Sequence, residues 1–118
     1  MIKDIVYIGC PYTHKDPQVR QERFEKVTQA AAKLVERGEN ILSPITHSHP
    51  LAKLGNLPTT WDFWKDYDTS LLIKCKKMYV LMLPGWKESK GLQAEINVAT
   101  FLNIQIDYLD YNEVMKDE

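Results

Sequence analysis

The sequence predicts an α/β domain, a doubly wound and mainly parallel sheet of four or five strands with helices on both faces. Three observations carry that expectation. First, Ile5-Val6-Tyr7-Ile8 and residues 78–83 are apolar runs without polar alternation, as expected of strands buried on both faces of a parallel sheet. Second, segments of helical period lie between the strand-like runs and are joined by short connections, the pattern of right-handed crossovers. Third, the least ordinary residues fall where strands end, at Gly9-Cys10-Pro11-Tyr12, residues 43–50 and residues 84–91. That edge is where open parallel sheets bind ligands.

The first strand stops at Gly9-Cys10-Pro11. Asp16-Pro17 then opens a helix, with Asp16 as cap and Pro17 at the first helical position. Phe24, Val27, Ala31, Leu34 and Val35 supply its apolar face and Gly38 closes it. Ile41-Leu42 reads as the second strand, ended by Ser43-Pro44. Residues 45–58 lose periodicity around Thr46-His47-Ser48-His49-Pro50, so a long loop with at most one helical turn is expected there. Thr59 or Thr60 caps a second helix whose buried side is Trp61, Trp64, Leu71, Leu72 and Cys75. Asp68 falls on that side too, at i+4 from Trp64 and i−4 from Leu72. The third strand runs over 78–83, a turn follows at Pro84-Gly85, and a third helix spans 91–103. Ser89 can cap its first turn, and Glu95 shares a face with Leu92, Ala99 and Leu102. The last strand covers 104–109, and the acidic tail forms a helical turn.

A length of 118 residues suits one domain with one core. A net charge of −1 gives no electrostatic case for a nucleic-acid polymer or a membrane surface. Lys74, Lys76 and Lys77 read as a solvated helix end. Cys10 and Cys75 are too few for a disulfide scaffold and lack zinc-type spacing, so buried free thiols in a reducing, cytoplasmic setting are expected. Neither a leader peptide nor an apolar run of membrane-spanning length is expected.

Two carboxylates on apolar helix stripes, Asp68 and Glu95, are the residues most in need of explanation, because an acid among apolar neighbours is costly unless it is paired or used. In one cleft their pKa values separate, so one group can stay charged while the other holds a proton. That suits cleavage of a glycosidic bond, one acid as nucleophile and the other as proton donor. The bland account is that Asp68 caps a loop and Glu95 pairs with Lys87 or Lys90. Tyr7, near the end of the first strand, can donate to a carboxylate or be plain core. His47 and His49 form a weak His-x-His signal, open to a base or phosphate contact, a metal or simple solvation. No metal is expected, since a third ligand is lacking. Trp61, Phe63 and Trp64 can stack a nucleobase or fill the core. The helix start at Ser89 and Gly91 suits an anion. Neither a Walker-type loop nor a Gly-x-Gly-x-x-Gly fingerprint is present, and no cofactor is expected.

Tyr7-Ile8-Gly9-Cys10-Pro11-Tyr12, Asp68 and Ser89-x-Gly91-x-x-x-Glu95 together resemble the nucleoside 2-deoxyribosyltransferase-like superfamily. The likeness covers nearly the whole chain. It is greatest to a small phage and bacterial branch without assigned function, which shares the Gly85-Trp86 turn and the Ser43-Pro44 plus His-Ser-His stretch. The resemblance implies oligomeric assembly and cleavage of the N-glycosidic bond of a deoxynucleoside or its 5′-monophosphate. It implies Glu95 as nucleophile, Asp68 as the carboxylate near the base and Tyr7 as the group that steadies the nucleophile. A serine at Ser89 resembles the branch that hydrolyses nucleoside monophosphates, where it contacts the phosphate. Gly9, Pro11, Tyr12, Ser89, Gly91, His47 and Trp64 are the expected substrate-binding residues. Relatives often carry an aspartate just before the third strand where this chain has Lys76, a departure from the transferase pattern. A nucleotide-binding or sensing module without turnover is the alternative. A phosphoacceptor receiver fits poorly, because the first strand ends without acids.

Overall fold

The computed structural model describes residues 2–117. Four strands, β1 (Ile5–Gly9), β2 (Asn40–Leu42), β3 (Lys77–Leu81) and β4 (Gln105–Leu109), form one parallel sheet in the order β2-β1-β3-β4. The order reverses between β1 and β3, so the carboxyl ends of those two strands open the crevice that such sheets offer to ligands.

Strand side chains alternate in direction and so divide the core in two. Val6, Ile8, Tyr79 and Leu81 pack against Val27, Ala30, Ala31 and Leu34 of helix α1 (Pro17–Glu36) and Val114 of helix α5 (Tyr111–Met115). On the other face Tyr7, Met78 and Val80 pack against Leu72 of helix α3 (Trp61–Leu72) and Leu92 and Ala99 of helix α4 (Lys90–Phe101). The doubly wound architecture is therefore present, with four strands. Truncating a side chain as enclosed as Leu92 or Leu72 typically costs about 2–5 kcal/mol.

Helix starts follow their caps. Asp16 accepts the Gln18 N–H with Pro17 next to it, and Ser89 accepts the Leu92 N–H. Gly38 sits at φ +94° beyond α1, where an L side chain would be strained. A single turn of 3₁₀ helix, Trp86–Glu88, precedes α4.

The stretch expected to be a loop is instead a twelve-residue helix, α2 (Pro44–Gly55). Pro44 stands at its start, and Asn56 closes it in the left-handed conformation. Pro50 lies inside it and forfeits one backbone hydrogen bond. Its buried positions are Pro44, Ser48, His49 and Ala52, a helical face that is half polar and so gives no hydrophobic period. Three smaller expectations are also corrected. Val35 and Leu102 are exposed rather than packed, because each sits at the edge of its helix's apolar stripe in the last turn or just past it. Lys77 is not part of a solvated helix end, since it opens β3 and pairs with Asp107 at 2.8 Å.

Arg23 of α1 ties the two loops at the crevice together. Its guanidinium donates to the Tyr12 and Thr13 carbonyls at 3.3 and 3.1 Å and to the Pro84 carbonyl at 3.1 Å. Gly85 follows at φ +88°, and a Cβ there would lie 2.8 Å from the same guanidinium. A lysine has one compact ammonium where arginine has a planar fork. Arg23→Lys is therefore expected to lower stability by about 1–2 kcal/mol in urea unfolding. Unchanged stability would mean these contacts are idle.

Among the described residues, no helix is long and apolar enough to cross a membrane.

Candidate active site

A narrow cavity opens at the carboxyl end of β1, between the first turns of α3 and α4. Cys10, Tyr12 and Thr13 form the wall after β1, and Ile45 and Ser48 of α2 close one end. Thr59, Thr60, Trp61, Trp64 and Asp68 form the second wall; Ser89, Gly91, Leu92 and Glu95 form the third. The enclosed space is about 40 Å³, room for a water and less than a sugar.

Glu95 is 6 % exposed and lies between two apolar residues of α4, Leu92 and Ala99. The Tyr7 hydroxyl, itself inaccessible to solvent, donates to Glu95 Oε2. Gly9 lies below: a Cβ there would meet Met78 Cε at 3.0 Å, Leu92 Cδ1 at 3.1 Å and Glu95 Oε1 at 3.6 Å. Glycine at the end of β1 thus leaves room for the Met78 and Leu92 side chains, with the carboxylate at ordinary contact distance, and does not line the cavity. Neither lysine considered as a partner for Glu95 takes that role. Lys90 faces Asp62 at 3.6 Å, and Lys87 lies over the Trp86 ring.

Asp68 approaches the cavity from α3. Its Oδ1 atom is buried and has no hydrogen-bond partner among the described residues. Burial pushes its carboxyl up to about 7. Glu95 is pushed up to about 8, chiefly by burial and further by the charge of Asp68, while the Tyr7 hydrogen bond pulls it down. Tyr7 is raised in turn by burial and by the charge of Glu95, so it remains a neutral donor. Burial, then Glu95, also raises the Cys10 thiol, which is thereby a neutral wall group and not a nucleophile. Cys10 and Cys75 are both buried and free.

Tyr7→Phe removes the one donor that the described residues give to a buried carboxylate. A hydrogen bond to a charged group contributes about 1.5–3 kcal/mol. If Glu95 acts as a nucleophile, the variant is expected to lower kcat about ten- to a hundredfold with little change in KM. The limb of the pH–rate profile that Glu95 sets, near 8, should move to higher pH, because the bond that lowered the Glu95 pKa is gone. An unmoved limb would reduce Tyr7 to a packing role.

The remaining expected binding residues divide. Tyr12, Ser89, Gly91 and Trp64 line the cavity. Gly91 packs closely on the wall opposite, since a Cβ there would lie 3.2 Å from the Trp61 ring. Trp64 donates through Nε1 to the Pro58 carbonyl at 2.7 Å, and Thr13 donates to the Thr59 carbonyl at 2.8 Å, so both hold down the segment before α3. Pro11 is fully buried behind the wall. His47 is exposed and bonded to the Tyr67 hydroxyl, outside the cavity, because the helical twist of α2 turns it away from the face that carries Ser48 and His49. His49 is the inward histidine, stacked on Phe24 with ring centroids 4.3 Å apart. Ile45 and Ser48 were not foreseen as wall residues, since the stretch carrying them read as a loop. Among the described residues, no three His, Cys, Asp or Glu side chains gather as a metal site would.

Residues 4–111 match the family model of a domain of unknown function, DUF1937. No curated protein matches the chain.

Proposed function

We propose that this chain, which belongs to the family of the domain of unknown function DUF1937, breaks the N-glycosidic bond of a deoxynucleoside or its 5′-monophosphate through Glu95. The observation that carries this reading is a buried carboxylate, held by a buried tyrosine, facing a second, partnerless carboxyl across one cavity. Structural acids are usually paired or solvated; among the described residues neither Asp68 nor Glu95 pairs with a cation, which suits use better than scaffolding. The sequence resemblance to deoxyribosyltransferase-like proteins supports the same residues in the same roles.

In this mechanism ionised Glu95 attacks the anomeric carbon while the bond from that carbon to the base nitrogen breaks. The bonding pair leaves with the base, and Asp68 in its protonated form, available because its carboxyl titrates at about 7, supplies the proton. A sugar ester on Glu95 results. Water, giving its proton to Asp68, then attacks the same carbon and returns Glu95 as a carboxylate; a second base in place of water makes the reaction a transfer. Ser89, at the N-terminus of α4, lies where an anionic 5′ substituent meets helix-end donors and a hydroxyl. Entry of a sugar requires the cavity to widen, since the enclosed volume is smaller than the ligand. The reading also includes a reducing, cytoplasmic setting for the free thiols and an assembly of identical subunits.

The test is direct. Purified protein incubated with each deoxynucleoside and its monophosphate should release free base, seen by chromatography. Thermal stabilisation by a nucleotide without release would favour the sensing module instead.

A further inference from the structure

Beside the cavity, and reached past Thr59, lies a second recess between the first turns of α1 and the C-terminal half of α2. Its volume is about 380 Å³, within the range of small-ligand sites. Arg20 and Lys53 line it together with Gln18, Gln21, His49 and Asn56, and no acid does. We propose that this recess is an anion-binding site, separate from the start of α4, that takes a phosphoryl group.

The charges have no other occupation. Neither Arg20 nor Lys53 takes part in an ion pair among the described residues. The only side-chain bond Arg20 makes there is to the His14 carbonyl, which leaves most of its five N–H groups free. Acids also border this region: Glu25, which accepts the Gln21 amide, raises the His49 pKa against the two cations, and Asp16 accepts the Gln18 N–H. The positive field is felt by its neighbours. His49 is held below its ordinary pKa, first by burial and then by Lys53 and Arg20, and Arg20 also acts on Tyr12.

The recess is wired to the cavity. Gln21 gives its amide N–H to Glu25, so its oxygen faces His49 Nε2 at 2.9 Å and that nitrogen carries the proton. His49 Nδ1 is then the acceptor, and the Tyr12 hydroxyl donates to it at 2.6 Å. Tyr12 lines the cavity of Glu95. An anion seated on Arg20 and Lys53 offsets the part of the lowering at His49 that those two cations add to burial, so its arrival is readable at the imidazole.

The experiment follows the imidazole resonances of His49, assigned by single histidine substitutions, while inorganic phosphate is added at constant ionic strength to remove simple screening. Saturable shifts at His49, with a rise in its apparent pKa, are expected in the wild type at millimolar phosphate. Arg20→Gln with Lys53→Gln should weaken the binding at least about tenfold, a difference of ~1.4 kcal/mol. Lys53→Gln alone should weaken it less, and guards against misfolding of the double variant. The source of the phosphoryl group is separated by two further titrations. A deoxynucleoside diphosphate that binds tighter than its monophosphate, and displaces phosphate from His49, makes the group part of one nucleotide. Phosphate that still saturates His49 with monophosphate bound makes it an independent anion. Shifts that never saturate, or that are the same in the double variant, overturn the site. None of these readouts requires turnover, so loss of the glycosidase reading leaves the result standing.

Discussion

Glu95→Gln is expected to abolish release of base and, at about pH 9, to make the fold more stable. The two effects have one cause. In the folded protein Glu95 titrates at about 8, against an ordinary glutamate value of 4.5, because burial disfavours its charge. The folded state therefore holds a proton that the unfolded chain releases. The stability this group contributes is fully present below its unfolded value and is lost as pH rises toward 8. By linkage the loss is on the order of 4 kcal/mol. Glutamine carries no charge to desolvate and still accepts from Tyr7, so the variant should gain a few kcal/mol at about pH 9 and nothing at about pH 4. Denaturant titrations at the two pH values measure it. A nucleophile cannot be replaced by an amide, so turnover should fall by about four orders of magnitude or more. Unequal stabilities with unchanged turnover would make Glu95 a strained structural acid.

Asp68→Asn is expected to act on rate and on pH dependence together. The pair should give wild-type turnover a bell with limbs near 7 and 8, since one carboxyl must be ionised and the other protonated. With Asp68 gone, a single acid limb set by Glu95 should remain, below the value of about 8 that Glu95 has beside a charged Asp68. The alkaline limb should vanish, because no acid remains to be titrated. Loss of a general acid costs about a hundred- to ten-thousandfold in kcat. A substrate whose base leaves without protonation should be affected least. An asparagine variant that keeps the full bell would remove Asp68 from the chemistry.

Much of this geometry was legible in the chain because two rules of periodicity agreed with it. The β1 and β3 runs are apolar on both faces, and the sheet buries them on both. Ser89, Leu92, Glu95 and Ala99 follow helical spacing from a recognisable cap, so one acid could be placed inside an apolar stripe before any coordinates. Asp68 was placed in the same way from Trp64 and Leu72. What stayed hidden was hidden for physical reasons. The buried side of α2 is Pro44, Ser48, His49 and Ala52, which bury through hydrogen bonds, ring stacking and close packing, so no hydrophobic period marks it. With α2 read as a loop, its two histidines could not be told apart, and helical twist is what sends His47 outward and His49 inward. Gly91 reads from the sequence as part of an anion seat, yet only the fold shows that the Trp61 ring packs against it and that Met78 and Leu92 close on Gly9. Arg23 carried no signal, because its three acceptors are backbone carbonyls from two distant loops.

The covalent step itself is the most direct test. Protein mixed with a deoxynucleoside monophosphate, quenched with acid within the first turnovers and weighed intact by mass spectrometry, should carry one added sugar phosphate. Peptide mapping should place that mass on Glu95, in step with free base and absent from the Glu95→Gln variant. Free base without any adduct on Glu95, or an adduct on another residue, would contradict the assignment.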